Sequence, residues 1–351
     1  MIKKEEFYYE IPASSIAQTP AEQRDASRLM ILDRQKKTRE HKKFQEIINY
    51  LQPGDLLVLN DTKVIPARLL GRKMVNGQES ARVELLLLNK LEGDRWEALV
   101  RPGQKILVGN TLSFGGGRLL AQIVARTETG GRIVDLQYQG DLQALLDEIG
   151  FIPLPPYIKV KEQLSAHHHL AQRYQTVYAA KDGASAAPTA GLHFTKELLE
   201  SIAKKGVEIA WITLHTGLGT FRPITAEHIE EHKMHAEWFQ VSEEAAELIK
   251  RTQEKGGRVI AVGTTVARAL ESMMAKSDGI KAISGWTDLF IYPGFEFRVV
   301  NALITNFHLP MSTLLVMVAA FAGKEFILSS YLEALQKGYR FFSFGDAMYI
   351  F

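Results

Sequence analysis

The sequence predicts an α/β main domain, with a mixed or barrel-like sheet and helices, that carries an inserted small antiparallel all-β barrel domain. Three observations predict this fold class. At 351 residues the chain is long for a single hydrophobic core. From about Ala67 to Gln139, short β-prone runs alternate with glycine-rich turns, which is typical of a small antiparallel barrel. Beyond about residue 170, helical and strand patterns alternate, which is typical of an α/β domain.

The first half of the chain is predicted to be mostly β-structure. We expect residues 1–62 and 152–351 to form the α/β catalytic domain and residues 63–151 to form the inserted all-β domain. A turn at 52–55 leads into an apolar strand at 56–59. The candidate strands of the insertion are 82–88, 96–100, 105–108, 119–125 and 132–138. A short helix at 141–149 follows, and the prolines within 152–157 predict a stiff connector because proline fixes φ.

The second half contains helices whose ends are marked by capping residues. We predict helices at 195–205, 242–254, 265–274 and 312–322, and strands at 207–214, 258–262 and 299–305. Thr195 and Ser242 are in N-cap positions, since their side chains can accept a hydrogen bond from the first helical turn. Gly206 and Gly256 follow two of the predicted C-terminal ends, as helix-stopping glycines commonly do.

Composition excludes several classes of protein. The chain has no cysteine, which excludes disulfides, thiolate nucleophiles, iron–sulfur clusters and cysteine-based zinc sites. The apolar run at 314–320 is far short of the roughly 20 residues that span a bilayer. The first residues lack the apolar stretch of a secretory signal. We therefore expect a cytoplasmic protein that does not associate with a membrane.

Basic residues are clustered although the net charge is only +2. Between Arg34 and Lys43 there are six Lys or Arg against one acid, and from Asp61 to Arg132 there are 12 basic and 7 acidic residues. Such clusters can neutralise the phosphates of a nucleic acid. Charge alone favours the alternative of a solvated charged face.

Four loops combine glycine, threonine, histidine or proline directly after apolar, β-branched runs. They are Ala187-Pro188-Thr189-Ala190-Gly191-Leu192-His193-Phe194 and the segments 215–221, 263–265 and 305–310. Loops on a rigid scaffold commonly carry binding and catalytic residues. Strand ends that repeatedly open into such loops predict one composite active site.

Gly263-Thr264-Thr265 lies between a buried strand and a helix, with Arg268 one turn further on. The positive end of the helix dipole and free amide donors suit an anion there, and Arg268 could hold a carboxylate or phosphate. The alternative is an N-cap threonine with a surface arginine. The chain has neither a Gly-x-Gly-x-x-Gly motif nor a Walker lysine, which argues against nicotinamide cofactors and ATP hydrolysis.

Histidines supply candidate bases and a candidate metal site. His193, His215 and His308 each end or follow a predicted strand, and any of them could act as a general base or be a buried structural histidine. His228, His232 and His235 would share one helical face and could hold zinc. The alternative is a polar helix followed by a loop, and the segment does not contain the His-Glu-x-x-His motif of known zinc hydrolases. The run at 167–169 suits a solvated loop. No Gly-x-Ser-x-Gly elbow is present.

The loop at 187–194 resembles the signature loop of the S-adenosylmethionine:tRNA ribosyltransferase-isomerases of queuosine biosynthesis. The resemblance extends over nearly the whole chain in the right order. The other matching blocks are 16–20 with Arg24 and Asp25, 58–69, 153–158, 174–178, 217–221, 232–235, 306–310 and 339–348. One position departs from the family pattern. The family usually reads Gly-Thr-Thr-Ser before the helix, and Val266 takes the place of that serine.

The resemblance implies a reaction and a set of roles. The ribosyl group of S-adenosylmethionine would be transferred to 7-aminomethyl-7-deazaguanine at the wobble position of tRNA with a GUN anticodon, giving epoxyqueuosine, adenine and methionine. No metal is expected. A base would remove a proton from C5′, acidified by the sulfonium, and an acid would help adenine leave. The implied catalytic residues are His193, with His215 or His308 as alternates, and Asp346. The implied S-adenosylmethionine-binding residues are Gly263, Thr264, Thr265, Arg268, Thr189 and Gly191.

Transfer RNA would bind the basic inserted domain, through Lys63, Arg68, Arg72, Lys73 and Arg101. We expect a monomer without an obligate protein partner. Three other functions are weighed against this one. A metal-dependent hydrolase would use the histidine-rich helix, a non-catalytic RNA-binding protein would not bind S-adenosylmethionine, and a methyltransferase would release S-adenosylhomocysteine.

Overall fold

The computed structural model describes residues 1–127, 130–159, 170–217, 224–277 and 279–351. The runs at 167–169 and 218–221 that the sequence singled out lie outside these ranges. The chain divides into two compact units. One unit comprises Met1–Thr62, Pro155–Lys181 and Pro188–Phe351, and the other comprises Lys63–Leu154 and Asp182–Ala187. The domain bounds expected from the sequence stay a prediction.

A mixed nine-stranded sheet forms the larger unit, as the predicted fold class requires. Its strands are β1 Arg28–Asp33, β2 Thr38–Lys43, β3 Leu56–Asn60, β13 Glu208–Leu214, β14 Glu237–Val241, β15 Val259–Val262, β16 Ile283–Thr287, β17 Ala302–Asn306 and β18 Ala347–Ile350. They lie in the order β16-β14-β13-β3-β15-β17-β18-β1-β2. The central strands β13, β3, β15 and β17 are parallel, and β1 is parallel to β18. The other neighbours in the sheet are antiparallel.

This topology gathers the ends of many strands at one edge of the sheet. The carboxyl ends of β3, β13, β15 and β17 lie there, because parallel strands point the same way. The amino ends of β18 and β1 lie at the same edge, since β18 runs antiparallel to β17 and parallel to β1. The edge therefore collects residues that are distant in the sequence, as the loop pattern predicted.

Six α-helices are described, and four of them have an N-cap side chain; two of these caps, Thr195 and Ser242, were predicted. They are α1 Leu142–Ile149, α2 Lys196–Lys204, α3 Glu243–Glu254, α4 Thr264–Lys276, α5 Thr313–Ala322 and α6 Lys324–Gln336. The side chains of Asp141, Thr195, Ser242 and Ser312 each accept a hydrogen bond from the amide three residues on. Such caps satisfy amides that the helix itself leaves without partners. In contrast, no side chain caps α4 among the described residues.

Hydrophobic residues cover both faces of the large sheet. Leu303 of β17 belongs to the core shared with α3 to α6, whereas its neighbour Ile304 belongs to the core shared with α2 and Phe44. Successive strand residues point to opposite faces, so β17 supplies both cores. Since both faces are covered, β15 is apolar along its whole length and β3 is apolar from Leu56 to Leu59, before its last residue Asn60.

A closed six-stranded antiparallel barrel forms most of the smaller unit, as predicted. Its strands are β5 Arg68–Val75, β6 Gln78–Lys90, β7 Arg95–Arg101, β8 Thr111–Phe114, β9 Leu119–Arg126 and β10 Arg132–Tyr138. The order β5-β6-β7-β10-β9-β8 closes by pairing of β5 with β8, and β11 Gly150–Phe151 adds to β5. Gly71 lies at the closure, where a Cβ would stand 2.2 Å from the carbonyl oxygen of Ser113. Only glycine permits this approach.

Several predicted elements differ from the structure. The strand predicted at 105–108 is wrong, because Gly103–Lys105 is a 3₁₀ helix and the barrel strand is Thr111–Phe114. The sequence patterns missed α6 and the strands β1, β2, β5, β11, β14, β16 and β18, as well as the two-stranded sheet of β4 Thr62–Val64 and β12 Lys181–Ala184. In the part of the chain that is described, no single helix could span a membrane; α5 and α6 meet that test only as a pair bent by 115°.

Candidate active site

His193 lies at the sheet edge and is held on both ring nitrogens. It ends the 3₁₀ helix Thr189–His193, which lies against the edge near Gly263: a Cβ on that glycine would stand 3.7 Å from Cβ of Ala190. Nδ1 of His193 is 2.7 Å from Oγ of Ser27, and Nε2 is 3.1 Å from Nδ2 of Asn306. The ring also stacks on Phe44. The imidazole is therefore fixed in both position and orientation.

The hydrogen bonds of Asn306 determine which nitrogen of His193 carries the proton. Nδ2 of Asn306 donates to the carbonyl oxygens of Phe342, at 3.2 Å, and Asp346, at 3.5 Å. Carbonyls only accept, so the atom facing His193 is an amide nitrogen and Nε2 must be the accepting nitrogen. Nδ1 then carries the proton and donates it to Ser27, whose hydroxyl donates to the carbonyl of Arg24 at 3.3 Å. The array describes a neutral imidazole.

Burial keeps His193 in this neutral state. Its side chain is only 4% exposed, and this desolvation, together with the positive charges of Arg340 and Arg24, lowers its pKa to about 3. The ring lines a small cavity of about 20 Å³, which is room for roughly one water molecule. Oδ1 of Asn306 is buried without a partner among the described residues. An acceptor in that position is available to a bound ligand.

Asp346 precedes β18 and lies beside Asn306. Its two carboxyl oxygens accept hydrogen bonds from the backbone amides of Arg28, at 2.9 Å, and Arg340, at 2.8 Å. Burial raises the pKa of Asp346, although these amides and the neighbouring guanidiniums act in the opposite direction. The residue lines a second cavity of about 390 Å³ that also contacts Ser27. The structure thus places this carboxyl group within the same region as His193.

The predicted anion site lies at the start of α4. Gly263 has φ of 95°, a conformation that favours glycine, and its amide donates to the carbonyl of Ile304. The helix begins without a side-chain cap, so amides of its first turn are available to an anion. Asn60 fixes this turn by donating to Oγ1 of Thr265, at 3.4 Å, and to the carbonyl of Leu214. Sequence reasoning missed Asn60, whose role depends on contacts distant in the chain.

Arg268 lies in the second turn of α4 and forms a buried ion pair with Glu237 of β14. Burial lowers the pKa of Arg268 to about 10. Its charge is therefore matched by a carboxylate of the protein itself, and it is not the surface arginine of the alternative interpretation. Its Nε atom is buried without a partner within the described ranges. Glu237 also accepts a hydrogen bond from the amide of Gly217 at 3.0 Å.

Val266 does not face the start of the helix as a ligand would. Its side chain is fully buried in the core that α4 shares with the sheet. The valine that replaces the usual serine of the family therefore contributes apolar packing at this position.

The signature loop owes its shape to close packing at Gly191. A Cβ there would stand 2.0 Å from the hydroxyl of Tyr178 and 2.9 Å from Cγ2 of Thr176. Thr189 begins the 3₁₀ helix and is partly exposed. Gly191 thus acts by allowing tight packing below the loop, and Thr189 is the more accessible of the two predicted binding residues.

His215 and His308 lie at the same edge but have other partners. Nδ1 of His215 is 2.8 Å from Oγ1 of Thr62, and its ring stacks on Trp238. Nε2 of His308 is 2.8 Å from Oγ1 of Thr305, which lies on the opposite face of β17 from Asn306. Burial lowers the pKa of His308 to about 3. The structure places His193, and not these two, in the array with Asn306 and Ser27.

The proposed metal-binding face does not form. The helix there is only the 3₁₀ turn Ile229–Glu231, with His228 before it and His232 after it. The predicted helical alignment with His235 is therefore wrong. Among the described residues no group of three or more His, Cys, Asp or Glu is arranged to hold a metal ion.

Most of the predicted RNA-binding residues of the barrel unit have partners of their own. Lys63 pairs with Asp182 at 3.0 Å, and Lys73 donates to the carbonyl of Lys105. The two arginines of β5 pair with acids of β6, Arg68 with Glu84 at 3.0 Å and Arg72 with Glu79 at 3.6 Å. Arg101 is exposed. Their role in RNA binding stays a prediction.

The basic cluster at 34–43 packs largely on α5 and α6. Arg34 and Lys37 donate to the carbonyls of Phe321 and Ala322 at the end of α5. Such cations stabilise the negative end of a helix dipole. Arg39 bonds to Ser330 of α6. Much of this cluster therefore has a structural role.

The fold and the site together define an α/β protein with an inserted barrel, whose polar site lies where strand ends meet. The chain matches the family described as "Queuosine biosynthesis protein" over residues 4–350, and it belongs to that family. A relative from Heliobacterium modesticaldum, named S-adenosylmethionine:tRNA ribosyltransferase-isomerase, is 55% identical over 97% of this chain and 98% of its own. A relative of the same name from Halothermothrix orenii is 54% identical over 99% and 100%.

A solved structure agrees with this assignment. The crystal structure of S-adenosylmethionine tRNA ribosyltransferase from Thermotoga maritima is 44% identical in sequence. It covers 99% of this chain and 100% of its own, with a TM-score of 0.56.

Proposed function

We propose that this protein is an S-adenosylmethionine:tRNA ribosyltransferase-isomerase. It transfers and isomerises the ribosyl group of S-adenosylmethionine onto 7-aminomethyl-7-deazaguanine at the tRNA wobble position, releasing adenine and methionine. Membership of the family supports the reaction. The order of polar groups along the sheet edge supports an arrangement of the substrate.

The order of neighbouring strands is the observation that carries this arrangement. Gly263 follows β15, Asn306 ends β17 and Asp346 precedes β18, and these three strands are adjacent. Adjacent strands lie roughly 4.8 Å apart, so the outer two positions are about 10 Å apart. S-adenosylmethionine carries its carboxylate, its sulfonium and its adenine in that order along the molecule. An extended molecule along this edge would meet an anion site, an imidazole and a carboxyl group in turn.

At the first position, the uncapped turn at Gly263, Thr264 and Thr265 holds the substrate carboxylate. Amides at a helix start favour an anion both through hydrogen bonds and through the helix dipole. Arg268 contributes its Nε–H, which has no partner within the described ranges, while Glu237 balances its charge. This balance prevents the guanidinium from opposing the cationic sulfonium further along.

At the second position, His193 removes the proton from C5′. Its imidazole is neutral, and the accepting nitrogen Nε2 faces Asn306, so a small rotation of that amide exposes the lone pair. Ser27 holds the opposite nitrogen and prevents the ring from turning. When a substrate group displaces the amide hydrogen bond, Asn306 can accept from the substrate through Oδ1.

At the third position, Asp346 assists the departure of adenine. A purine leaves more easily when a ring nitrogen is protonated or hydrogen-bonded by an acid. Burial raises the pKa of Asp346 and so favours its protonated form.

A product assay tests the function. The protein is incubated with S-adenosylmethionine and an anticodon stem-loop RNA carrying the aminomethyl-deazaguanine base, and products are separated by liquid chromatography with mass detection. We expect adenine, methionine and a matching mass gain on the RNA. Formation of S-adenosylhomocysteine would instead identify a methyltransferase, and RNA binding without any turnover would identify a binding protein.

The variant His193→Ala tests the base, with His41→Ala as its matched control. His41 is also partly buried and bonded, to Tyr339 and Glu333, but lies in the middle of β2 away from the edge. We expect His193→Ala to lose at least about 100-fold in kcat, the usual effect of removing a general base, with S-adenosylmethionine binding retained. Full activity of His193→Ala would reject this residue as the base.

A further inference from the structure

Four arginines surround the two cavities beside His193. Arg24 and Arg173 line the small cavity, and Arg28 and Arg340 line the cavity of about 390 Å³. The two cavities are neighbours, since both contact Ser27. All four guanidiniums belong to the larger unit. The region around the site is therefore rich in positive charge.

This charge is poorly balanced by the protein. In the described part of the chain Arg24 and Arg173 donate only to backbone carbonyls, and Arg28 donates to the carbonyl of Lys337 at 2.6 Å while it covers the ring of Tyr339. Across the described residues none of these three has a carboxylate within 4.0 Å. Arg340 is 3.8 Å from Asp346, a distance too long for a direct hydrogen bond.

Carboxyl groups are fewer than guanidiniums around these cavities. Among the described lining residues the only carboxyl groups are those of Glu22 and Asp346, against the four arginines. Backbone carbonyls satisfy N–H groups but do not neutralise a formal charge. An excess of positive charge remains at the mouth of the site, where Arg340 is 36% exposed.

S-adenosylmethionine does not account for this excess. In the proposed arrangement its carboxylate lies at Gly263 and its sulfonium is a cation, so it brings no anion to these four arginines. The second substrate, RNA, carries one negative charge per nucleotide. The barrel arginines differ from this cluster, because Arg68 and Arg72 are already paired with acids. Charge complementarity therefore favours RNA at the cavity mouth.

We propose that Arg28 and Arg340 bind the RNA phosphates that flank the wobble nucleotide, and that the cavity of about 390 Å³ receives that nucleotide. Arg24 and Arg173 add to the positive field from deeper in the site. The proposal rests on the proposed function only in taking RNA as the second substrate. It places the reacting nucleotide beside Asp346 and Ser27, next to the imidazole of His193.

Salt-dependent RNA binding tests the proposal. Binding of an unmodified anticodon stem-loop RNA is measured by fluorescence anisotropy over a series of KCl concentrations, without any turnover. Arg28→Gln and Arg340→Gln should each weaken binding by about tenfold or more, since a charged hydrogen bond is lost. Each should also reduce the slope of log K against log salt by roughly 0.7 to 1. S-adenosylmethionine affinity, measured by calorimetry, should change less than about twofold.

Three further variants separate charge from fold and from position. Arg28→Lys keeps the charge and should retain most of the salt slope, whereas a structural role for the Arg28 side chain would not be rescued in this way. Arg251→Gln removes an exposed arginine paired with Glu208 and should leave RNA binding unchanged. Arg68→Gln tests the barrel surface directly.

The outcomes are distinguishable. Weaker RNA binding by Arg68→Gln, with normal binding by Arg28→Gln and Arg340→Gln, would overturn the proposal in favour of the barrel. If Arg28→Gln and Arg340→Gln lose affinity for S-adenosylmethionine but keep their affinity for RNA, the proposal is overturned. The two arginines would then bind the carboxylate of S-adenosylmethionine. If the wild type turns over its substrates and both Arg28→Gln and Arg340→Gln bind RNA as the wild type does, only this inference is rejected. Absence of turnover and RNA binding in the wild type rejects the proposed function itself.

Discussion

Among single residues, Asn306 controls the protonation of His193. Its amide nitrogen donates to Nε2, which keeps the imidazole neutral. In Asn306→Asp a carboxylate would accept from Nε2–H instead, raise the pKa of His193 and favour the imidazolium. An imidazolium cannot act as a base. We therefore expect product formation at pH 7.5 to fall by about 100-fold.

Nitrogen NMR of ¹⁵N-histidine-labelled protein measures this change directly. In the wild type, Nε2 of His193 should have the shift of an unprotonated nitrogen, and in Asn306→Asp that of a protonated one. Asn301→Asp is the matched control, since Oδ1 of Asn301 only accepts a bond from the amide of Val259. A protonated Nε2 in the wild type would contradict the hydrogen-bond assignment.

Two buried histidines also make stability depend on pH. Burial lowers the pKa of His193 and of His308 from an ordinary 6.5 to about 3. Below pH 6.5 these two imidazoles are protonated in the unfolded chain, whereas in the folded chain they are protonated only near pH 3. Their contribution to stability is complete above pH 6.5 and is lost as the pH falls towards 3, by up to about 1.4 kcal/mol per pH unit for each histidine.

Urea denaturation at pH 7.5, 6.5 and 5.0 checks this dependence. Between pH 6.5 and 5.0 the wild type should lose about 2 kcal/mol more of its unfolding free energy than His308→Gln, whatever the absolute stability of the variant. His228→Gln, at a less buried position, is the comparison. If the wild type and His308→Gln lost equal unfolding free energy between pH 6.5 and 5.0, His308 would take up its proton over that range in the folded state as well as in the unfolded chain.

Among the elements, α4 and β14 are joined by a buried ion pair that single substitutions should disrupt. Arg268 and Glu237 are both nearly fully buried. Removal of one partner leaves a charge buried without compensation, so Arg268→Gln should lower the unfolding free energy by about 3–5 kcal/mol. The double variant Arg268→Met with Glu237→Leu removes both charges and should recover most of that loss.

Thermal and chemical denaturation of the single and double variants measure the coupling between these elements. The double variant should fold yet bind S-adenosylmethionine more weakly, because in the proposed arrangement Arg268 also provides Nε–H at the anion site. If Arg268→Gln and the double variant lose equal stability, the pair is not coupled through charge.

Local chemistry made the helix ends predictable from the sequence. The caps Thr195 and Ser242 act on amides three residues away, so their patterns lie within a few neighbouring residues. The prediction of a helix through His232 was wrong. The spacing of the histidines alone does not determine a helix when other contacts hold the segment. One such contact is the bridge between Lys3 and His228.

The composite site was predictable only in part. Histidines after strands indicated an edge, since the carboxyl ends of parallel strands meet there. The partners of His193 are Ser27, just before β1, and Asn306, at the end of β17. Both lie more than 100 positions away in the sequence, so no local pattern pairs them with His193. Family resemblance named Asp346 without its partners, and only the topology shows which residues share the edge.

At the scale of the whole molecule, the two compact units have separate internal supports. In the barrel unit Arg132 is only 4% exposed and donates to the carbonyls of Gly103, Ile106, Gly130 and Gly131. These carbonyls lie in loops of the barrel, where no neighbouring strand of the described chain supplies a hydrogen-bond donor to them. A single guanidinium thus satisfies several buried acceptors at once.

Replacement of Arg132 should therefore weaken one unit selectively. Arg132→Leu removes the guanidinium from all four carbonyls, although that of Gly131 still accepts from the amide of Thr127 at 3.2 Å. The cost is roughly 3–5 kcal/mol if two or three of the others stay unsatisfied. Hydrogen exchange measured by mass spectrometry should show faster exchange in β7 to β10, with unchanged protection in β3, β15 and β17. Arg126→Leu is the matched control, because Arg126 pairs in register with Arg132 but is exposed. If both units lost protection equally, a defect confined to the barrel would have destabilised the sheet that carries the site. The two units would then unfold as one, contrary to this prediction.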